Sequence, residues 1–145
     1  MASALFWLGC TLLSSWAEDT PAWQRKLQPR VFPWHFNMMN DYPRNRAYEV
    51  ALRATIRPGM TVLDIGSGSG LLAMLAARAG AAHVYTCDED PTLAEMAERI
   101  VKKNKLLRRF RHSITVIRKR SSDLTVCASG CDLPARVDLV VSEIL

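Results

Sequence analysis

Val62-Leu63-Asp64-Ile65-Gly66-Ser67-Gly68-Ser69-Gly70 is an apolar run that breaks into three alternating glycines. Thr61 to Ile65 has the length and composition of a short buried strand. Leu71 to Ala79 follows at once, with Leu71, Leu72, Leu75, Ala76 and Ala79 at the spacing of a helix core face and Gly80 as its stop. A strand therefore enters the turn and a helix leaves it. Glycine has no Cβ, so the backbone of such a turn can come close to a ligand at the carboxyl end of the strand. The helix N-terminus beyond offers free N–H groups to a carboxylate or phosphate.

The same alternation extends outward on both sides. Upstream, Arg44 to Ile56 reads as a helix with Tyr48, Ala51, Leu52 and Thr55 on one face, ended by Pro58-Gly59. Downstream, His83 to Cys87 is a second strand. Asp90 as N-cap and Pro91 at the first helical position open a helix that runs to about Asn104. Ile114 to Ile117 and Val137 to Val141 are the third and fourth strands. Strands alternating with helices predict an α/β fold, its parallel strands joined by crossover helices. Residues 1–30 show no clear period and hold Pro21 and Pro29, so they read as an N-terminal extension, signal-like or disordered. Residues 31–145 read as a partial ligand-binding domain.

The order of the glycines narrows the ligand. A dinucleotide fingerprint runs G-x-G-x-x-G. Here the order is G-x-G-x-G with Asp64 two residues ahead, and Asp64, Gly66, Gly68 and Gly70 complete the D-x-G-x-G-x-G form used by S-adenosylmethionine-dependent methyltransferases. The fold expected is therefore Rossmann-like, with an incomplete parallel sheet. A second acid about twenty residues on accepts hydrogen bonds from ribose hydroxyls. Asp88, Glu89 and Asp90 all stand there. Asp88 directly follows the apolar run Val84-Tyr85-Thr86-Cys87 and is the preferred candidate, while Asp90 is better explained as the helix cap.

His35-Phe36-Asn37-Met38-Met39-Asn40-Asp41-Tyr42-Pro43-Arg44-Asn45 resembles the segment that precedes the fold core in protein arginine methyltransferases. The likeness continues through the glycine turn, Asp88 and Ser142-Glu143, over about residues 33–145. Arg118-Lys119-Arg120-Ser121-Ser122-Asp123 and Asp132-Leu133-Pro134 resemble the seventh type, which carries two modules in one chain. Trp34-His35-Phe36 and Asn40-Asp41 are similar to the ninth. The resemblance implies that Arg44 pairs with the cofactor's methionyl carboxylate, as suits a planar guanidinium fork. It implies that His35 lies against the cofactor, with a partly buried structural histidine as the other reading. It puts Ser121 and Ser122 at the adenine edge. It makes Glu143 the first of two glutamates that grip the substrate guanidinium. That guanidinium belongs to arginine-containing proteins, with histones and Arg-Gly-rich proteins as candidates.

Composition is globular, with 49% hydrophobic and 23% charged residues among 145. The net charge is +5. Lys102, Lys103, Lys105, Arg108, Arg109, Arg111, Arg118, Lys119 and Arg120 cluster, but with Phe110 as the one aromatic among them they read as a solvated face rather than a nucleic-acid surface. Cys10, Cys87, Cys127 and Cys131 contain no C-x-x-C pair, so no metal site is expected, and the pattern suits a reducing compartment better than a disulfide framework. The apolar run Ala4 to Leu13, followed by Ser15-Trp16-Ala17, looks like a secretory signal and is too short to span a membrane. No Lys or Arg precedes it, and the methyl donor is intracellular, so a cytoplasmic or nuclear location is expected.

Three other functions compete with this reading. Amino-methylating enzymes of nucleic acids carry Asn/Asp-Pro-Pro-Tyr after the fourth strand, where this sequence has Ser-Glu-Ile-Leu. A small-molecule methyltransferase would not need the His35–Arg44 segment. A non-catalytic cofactor-binding fragment fits a sequence that reaches the first glutamate and not a second, and the 145 residues alone are expected to transfer no methyl group. The glycine order itself is testable by titration calorimetry. S-adenosylhomocysteine should bind the chain far more tightly than NAD, and equal or tighter NAD binding would overturn the reading of the turn.

Overall fold

The computed structural model describes residues 33–104 and 114–143, without the side chains of residues 33 and 34. The chain divides into two compact units, 1–35 and 36–145. The second holds the sheet, and His35 belongs to the first. The expected extension and the basic residues Lys105, Arg108, Arg109 and Arg111 lie outside the described residues. Among the described residues no helix is long and apolar enough to cross a membrane.

The elements run α1 (Pro33–Asn40), α2 (Tyr42–Thr55), β1 (Thr61–Ile65), α3 (Leu71–Ala79), β2 (His83–Cys87), α4 (Pro91–Lys103), β3 (Ile114–Ile117), a 3-10 turn (Ser121–Asp123) and β4 (Leu139–Ser142). The four strands form one sheet in the order β3-β2-β1-β4, and every pairing is parallel. This is the Rossmann-like arrangement expected. Asp90 caps α4 as its sequence suggests, accepting from the Thr92 N–H at 2.8 Å, and Asp41 caps α2 in the same way through the Arg44 N–H at 3.1 Å.

A parallel sheet must be covered on both faces. On one face Val62 and Val84 are fully buried against Ala73, Ala76 and Ala77 of α3. Alanines on that helix let its backbone lie close to the strands. Leu52 and Ile56 join the same cluster, as do Val101 and Ile114. On the other face Leu63 and Cys87 pack with Leu133, Ile65, Tyr85, Ile117, Leu124 and Val137. Leu124, Leu133 and Val137, from the segment between β3 and β4, thus line the second face.

Three expectations are corrected. The inward face of α2 is not Tyr48, Ala51, Leu52 and Thr55, because Ala51 and Thr55 are exposed. Tyr48, Leu52 and Ile56 follow one another at a spacing of four, and this is the stripe that turns inward. The fourth strand begins at Leu139 rather than Val137. Asp138 is diverted to Thr61, donating its N–H to the Thr61 carbonyl at 3.0 Å and accepting the Thr61 N–H on its carboxylate at 2.7 Å. Finally, Cys127 and Cys131 form a disulfide. Their Cα atoms stand 5.5 Å apart, within bridging reach, because Gly130 turns the chain back and Val126 pairs with Leu133.

Gly70 is where backbone conformation matters most. It precedes α3 at φ +78°, donates to the Ser67 carbonyl at 2.6 Å, and accepts from the Met74 N–H at 3.0 Å. A Cβ there would meet Val101 Cγ2 at 3.6 Å and Ala97 Cβ at 3.7 Å, which is ordinary contact. The cost of a side chain at this position is therefore conformational. Gly70→Ala should lower stability by about 1–2 kcal/mol, read from the urea midpoint, and an unchanged midpoint would show that the turn relaxes freely.

Candidate active site at the carboxyl ends of the strands

The ladder registers bring four strand ends level. Ile65 pairs with Cys87 and with Ser142, and Cys87 pairs with Ile117. The next residue on each strand is Gly66, Asp88, Arg118 or Glu143. From β1 the chain winds through β2 to β3 and then returns to the other side of β1 as β4. The reversal lies between β1 and β4, and α/β sheets bind ligands in the crevice beyond the carboxyl ends at such a point.

The glycine turn is fastened to β2. The N–H groups of Gly66 and Ser67 both donate to the Cys87 carbonyl at 2.9 Å. Asp88 is buried, and its Oδ2 accepts the Gly68 N–H at 3.0 Å and the Ser67 hydroxyl at 3.5 Å. Its Oδ1 accepts the Asp90 N–H at 3.0 Å. An ionised carboxylate has about four acceptor sites, so Oδ1 retains room for a further hydroxyl while Oδ2 is engaged with the turn. Asp88 thus organises the turn as well as offering an acceptor. Nothing lies within 4 Å of where a Cβ would stand on Gly68, so its outer side faces open space.

Asp64 lies beneath the turn, only 1% exposed. Its Oδ2 accepts the Thr86 hydroxyl at 2.9 Å, and its Oδ1 has no hydrogen-bond partner. Burial pushes its pKa up to about 7, against the Thr86 hydroxyl and the Ala73 amide, which pull the other way; the Asp88 charge adds to the rise. The parallel register sets Asp64 beside Thr86. Thr86 and Ser67 were not anticipated as site residues, since only strand register reveals the first and only the turn's fold the second.

Arg44 and Glu143 come together across 99 residues of sequence. Arg44 Nε donates to Glu143 Oε1, and Nη2 pairs with Oε2. Arg44 Nη1 donates to the Met38 carbonyl at 3.2 Å and to Asn45 Oδ1 at 2.7 Å, and the guanidinium carbon stands 5.3 Å from the Tyr48 ring centroid. Both charged side chains are about four-fifths buried, at 20% and 18% exposure. The two groups expected to hold different ligands therefore hold each other.

Ser121 and Ser122 occupy the 3-10 turn past β3, where the Ser122 hydroxyl donates to Asp123 Oδ1 at 3.1 Å. Arg120 ties this turn to the strand end of β2 through Glu89 at 2.7 Å. Arg118 pairs with Glu98 and Lys119 with Asp132, so three residues of the basic cluster are matched with acids.

The chain is 46% identical, over 99% of its length, to an arginine N(omega)-methyltransferase of Streptomyces achromogenes subsp. streptozoticus, and covers 37% of that protein. It is 36% identical over 98% of its length to protein arginine N-methyltransferase 9 of Xenopus laevis, covering 16% of it. The Trypanosoma brucei protein arginine methyltransferase 1 enzyme–prozyme complex with S-adenosylhomocysteine superposes on 78% of the chain and 32% of the solved one with a TM-score of 0.65 at 32% identity. The chain is a divergent methyltransferase homologous to the protein arginine methyltransferases. Residues 49–145 match the ribosomal protein L11 methyltransferase (PrmA) family model, so over these residues it belongs to that methyltransferase family. The two matches differ in reach. The L11 model starts after Arg44, whereas the arginine methyltransferase relatives extend through the Met38–Arg44 segment that meets Glu143. The chain spans about a third or less of the length of these relatives.

Asp64 makes the pH dependence of this methyltransferase-fold chain predictable. Between the ordinary carboxyl value of 3.8 and about 7 the folded chain holds a proton on Asp64 that the unfolded chain has lost. Stability should then fall as pH rises through that window and level off above it. Relative to wild type, Asp64→Asn should remove this slope, on the order of a few kcal/mol across the window. Urea midpoints at pH 4.5, 6 and 7.5 check it, and parallel pH profiles for the two proteins would place the ionisation elsewhere.

Proposed function

We propose that this chain supplies the cofactor site and one substrate carboxylate of an S-adenosylmethionine-dependent protein-arginine N-methyltransferase. The observation that carries the reading is Glu143: it stands at the end of β4, level with the glycine turn, with a guanidinium held on both of its oxygens. A carboxylate so placed and so engaged is chemically suited to a substrate arginine.

The residues fit the cofactor. Gly68 borders open space, Asp88 Oδ1 retains acceptor capacity, and the Arg44 fork suits a carboxylate. Asp88 would hold the ribose, Ser121 and Ser122 the adenine edge, and Arg44 the methionyl carboxylate, with His35 assigned to the cofactor by resemblance alone. When bound, the cofactor supplies an electrophilic methyl group. Arginine stays protonated at neutral pH and is a poor nucleophile. Glu143 would accept two of its N–H groups, orient a third nitrogen, and draw positive charge away from it. Val62 and Leu63 are buried, and β1 pairs with β4 in register beneath this arrangement.

The substrate is arginine in proteins, with histones and Arg-Gly-rich proteins as the first to try and the seventh and ninth types as the subtypes the chain resembles. The Streptomyces relative favours a second reading, since its name specifies arginine without a protein. Free arginine is the substrate in that case. A cytoplasmic or nuclear location goes with either.

A chimera joining this chain to the remaining length of the Streptomyces relative separates these readings. With radiolabelled S-adenosylmethionine it should methylate an Arg-Gly peptide, and Glu143→Gln should reduce the rate at least about a hundredfold, on the scale of losing one preorganised electrostatic contact. Transfer to free arginine alone would select the second reading. Full activity in the Glu143→Gln chimera would end the proposal.

A further inference from the structure

Arg44 has five N–H groups. Two go to the two oxygens of Glu143, and two on Nη1 go to the Met38 carbonyl and Asn45 Oδ1. One N–H on Nη2 is left over. A carboxylate held in bidentate fashion needs two parallel N–H groups. Arg44 therefore cannot grip a second carboxylate this way while it grips Glu143, and Met38 and Asn45 keep the other side of the guanidinium occupied. Glu143, in turn, cannot receive a substrate guanidinium while Arg44 fills both of its oxygens.

We infer that the two ligands of this site are coupled through this one ion pair: the methionyl carboxylate of the cofactor competes with Glu143 for Arg44, and its arrival releases Glu143 to take the substrate arginine. While the pair stands, Glu143 has no free oxygen for substrate. Cofactor binding frees it, so each ligand raises the affinity for the other. The inference rests on the cofactor and substrate assignments above and adds the link between them.

The competition has an unusual signature. Removing the Glu143 charge should strengthen cofactor binding, although Glu143 belongs to the substrate. Titration calorimetry on the 145-residue chain can read this with two probes. S-adenosylhomocysteine carries the carboxylate, and 5′-methylthioadenosine keeps the adenosine and the sulfur without the amino-acid tail. Glu143→Gln should tighten S-adenosylhomocysteine by about tenfold, the effect of freeing one charge-assisted pair. It should leave 5′-methylthioadenosine unchanged. Glu143→Ala should do the same, which covers a glutamine that simply re-pairs with Arg44. In an Arg44→Met background Glu143→Gln should change neither affinity, because the shared partner is gone. An affinity for S-adenosylhomocysteine that stays constant or falls in both Glu143 variants overturns the inference and leaves the cofactor assignment standing. Equal tightening of both probes overturns it too, by showing a general opening of the crevice. If wild type binds neither probe, the proposed function falls and the inference with it.

Discussion

One carbonyl carries the turn. The amides of Gly66 and Ser67 both donate to the oxygen of Cys87, the last residue of the neighbouring strand. That shared acceptor takes β1 out of the sheet at Ile65 and bends it back over β2. The bend brings the Gly68 N–H onto Asp88 and sets Gly70 at the start of α3. Each later feature of the site is placed from there. Had the chain run straight on from β1, Asp88 would have no turn to hold and the crevice would have no floor.

The floor is built from charge that the fold keeps neutral or paired. Asp64 is buried with one oxygen unsatisfied, and burial favours its protonated form. Asp88, above it, has its carboxylate tied to three protein donors. Two acids near one another are tolerable in this way, one with its protonated form favoured by burial and the other hydrogen-bonded. At the rim the same logic appears as ion pairs. Arg44 meets Glu143, and Arg120 meets Glu89, each joining segments distant in sequence.

Much of this could be read from the chain before its structure. β1, α3, β2 and β3, and the start of α4, stand where apolar runs, Gly80 and the Asp90-Pro91 cap put them, because these boundaries depend on local chemistry. The start of β4 could not be read, since Val137 is apolar like the strand and only the distant Thr61 decides that Asp138 stays out of it. The inward stripe of α2 is hidden for a related reason: alanine and threonine suit either face, so packing chooses. The Cys127–Cys131 bridge depends on a turn at Gly130 and a pairing at Leu133 that spacing alone does not show. Among site residues, Asp64, Asp88 and the glycines announce themselves by pattern. The union of Arg44 with Glu143 does not, because it crosses the whole domain.

The level strand ends have a consequence for how this site tolerates change in length. Glu143 reaches the crevice by counting: Asp138 is anchored on Thr61, four residues of β4 pair with β1 without a bulge, and the next residue is the glutamate. A residue added to or removed from β4 would turn each later side chain to the opposite face. Ser142 and Glu143 would exchange directions, while the partly exposed strand would keep most of its backbone pairing. Substitutions at many positions in β4 change packing alone, but an insertion or deletion there changes which side chain addresses the ligand. The strand works as a ruler, and its length is as much a determinant of the site as the carboxylate at its end.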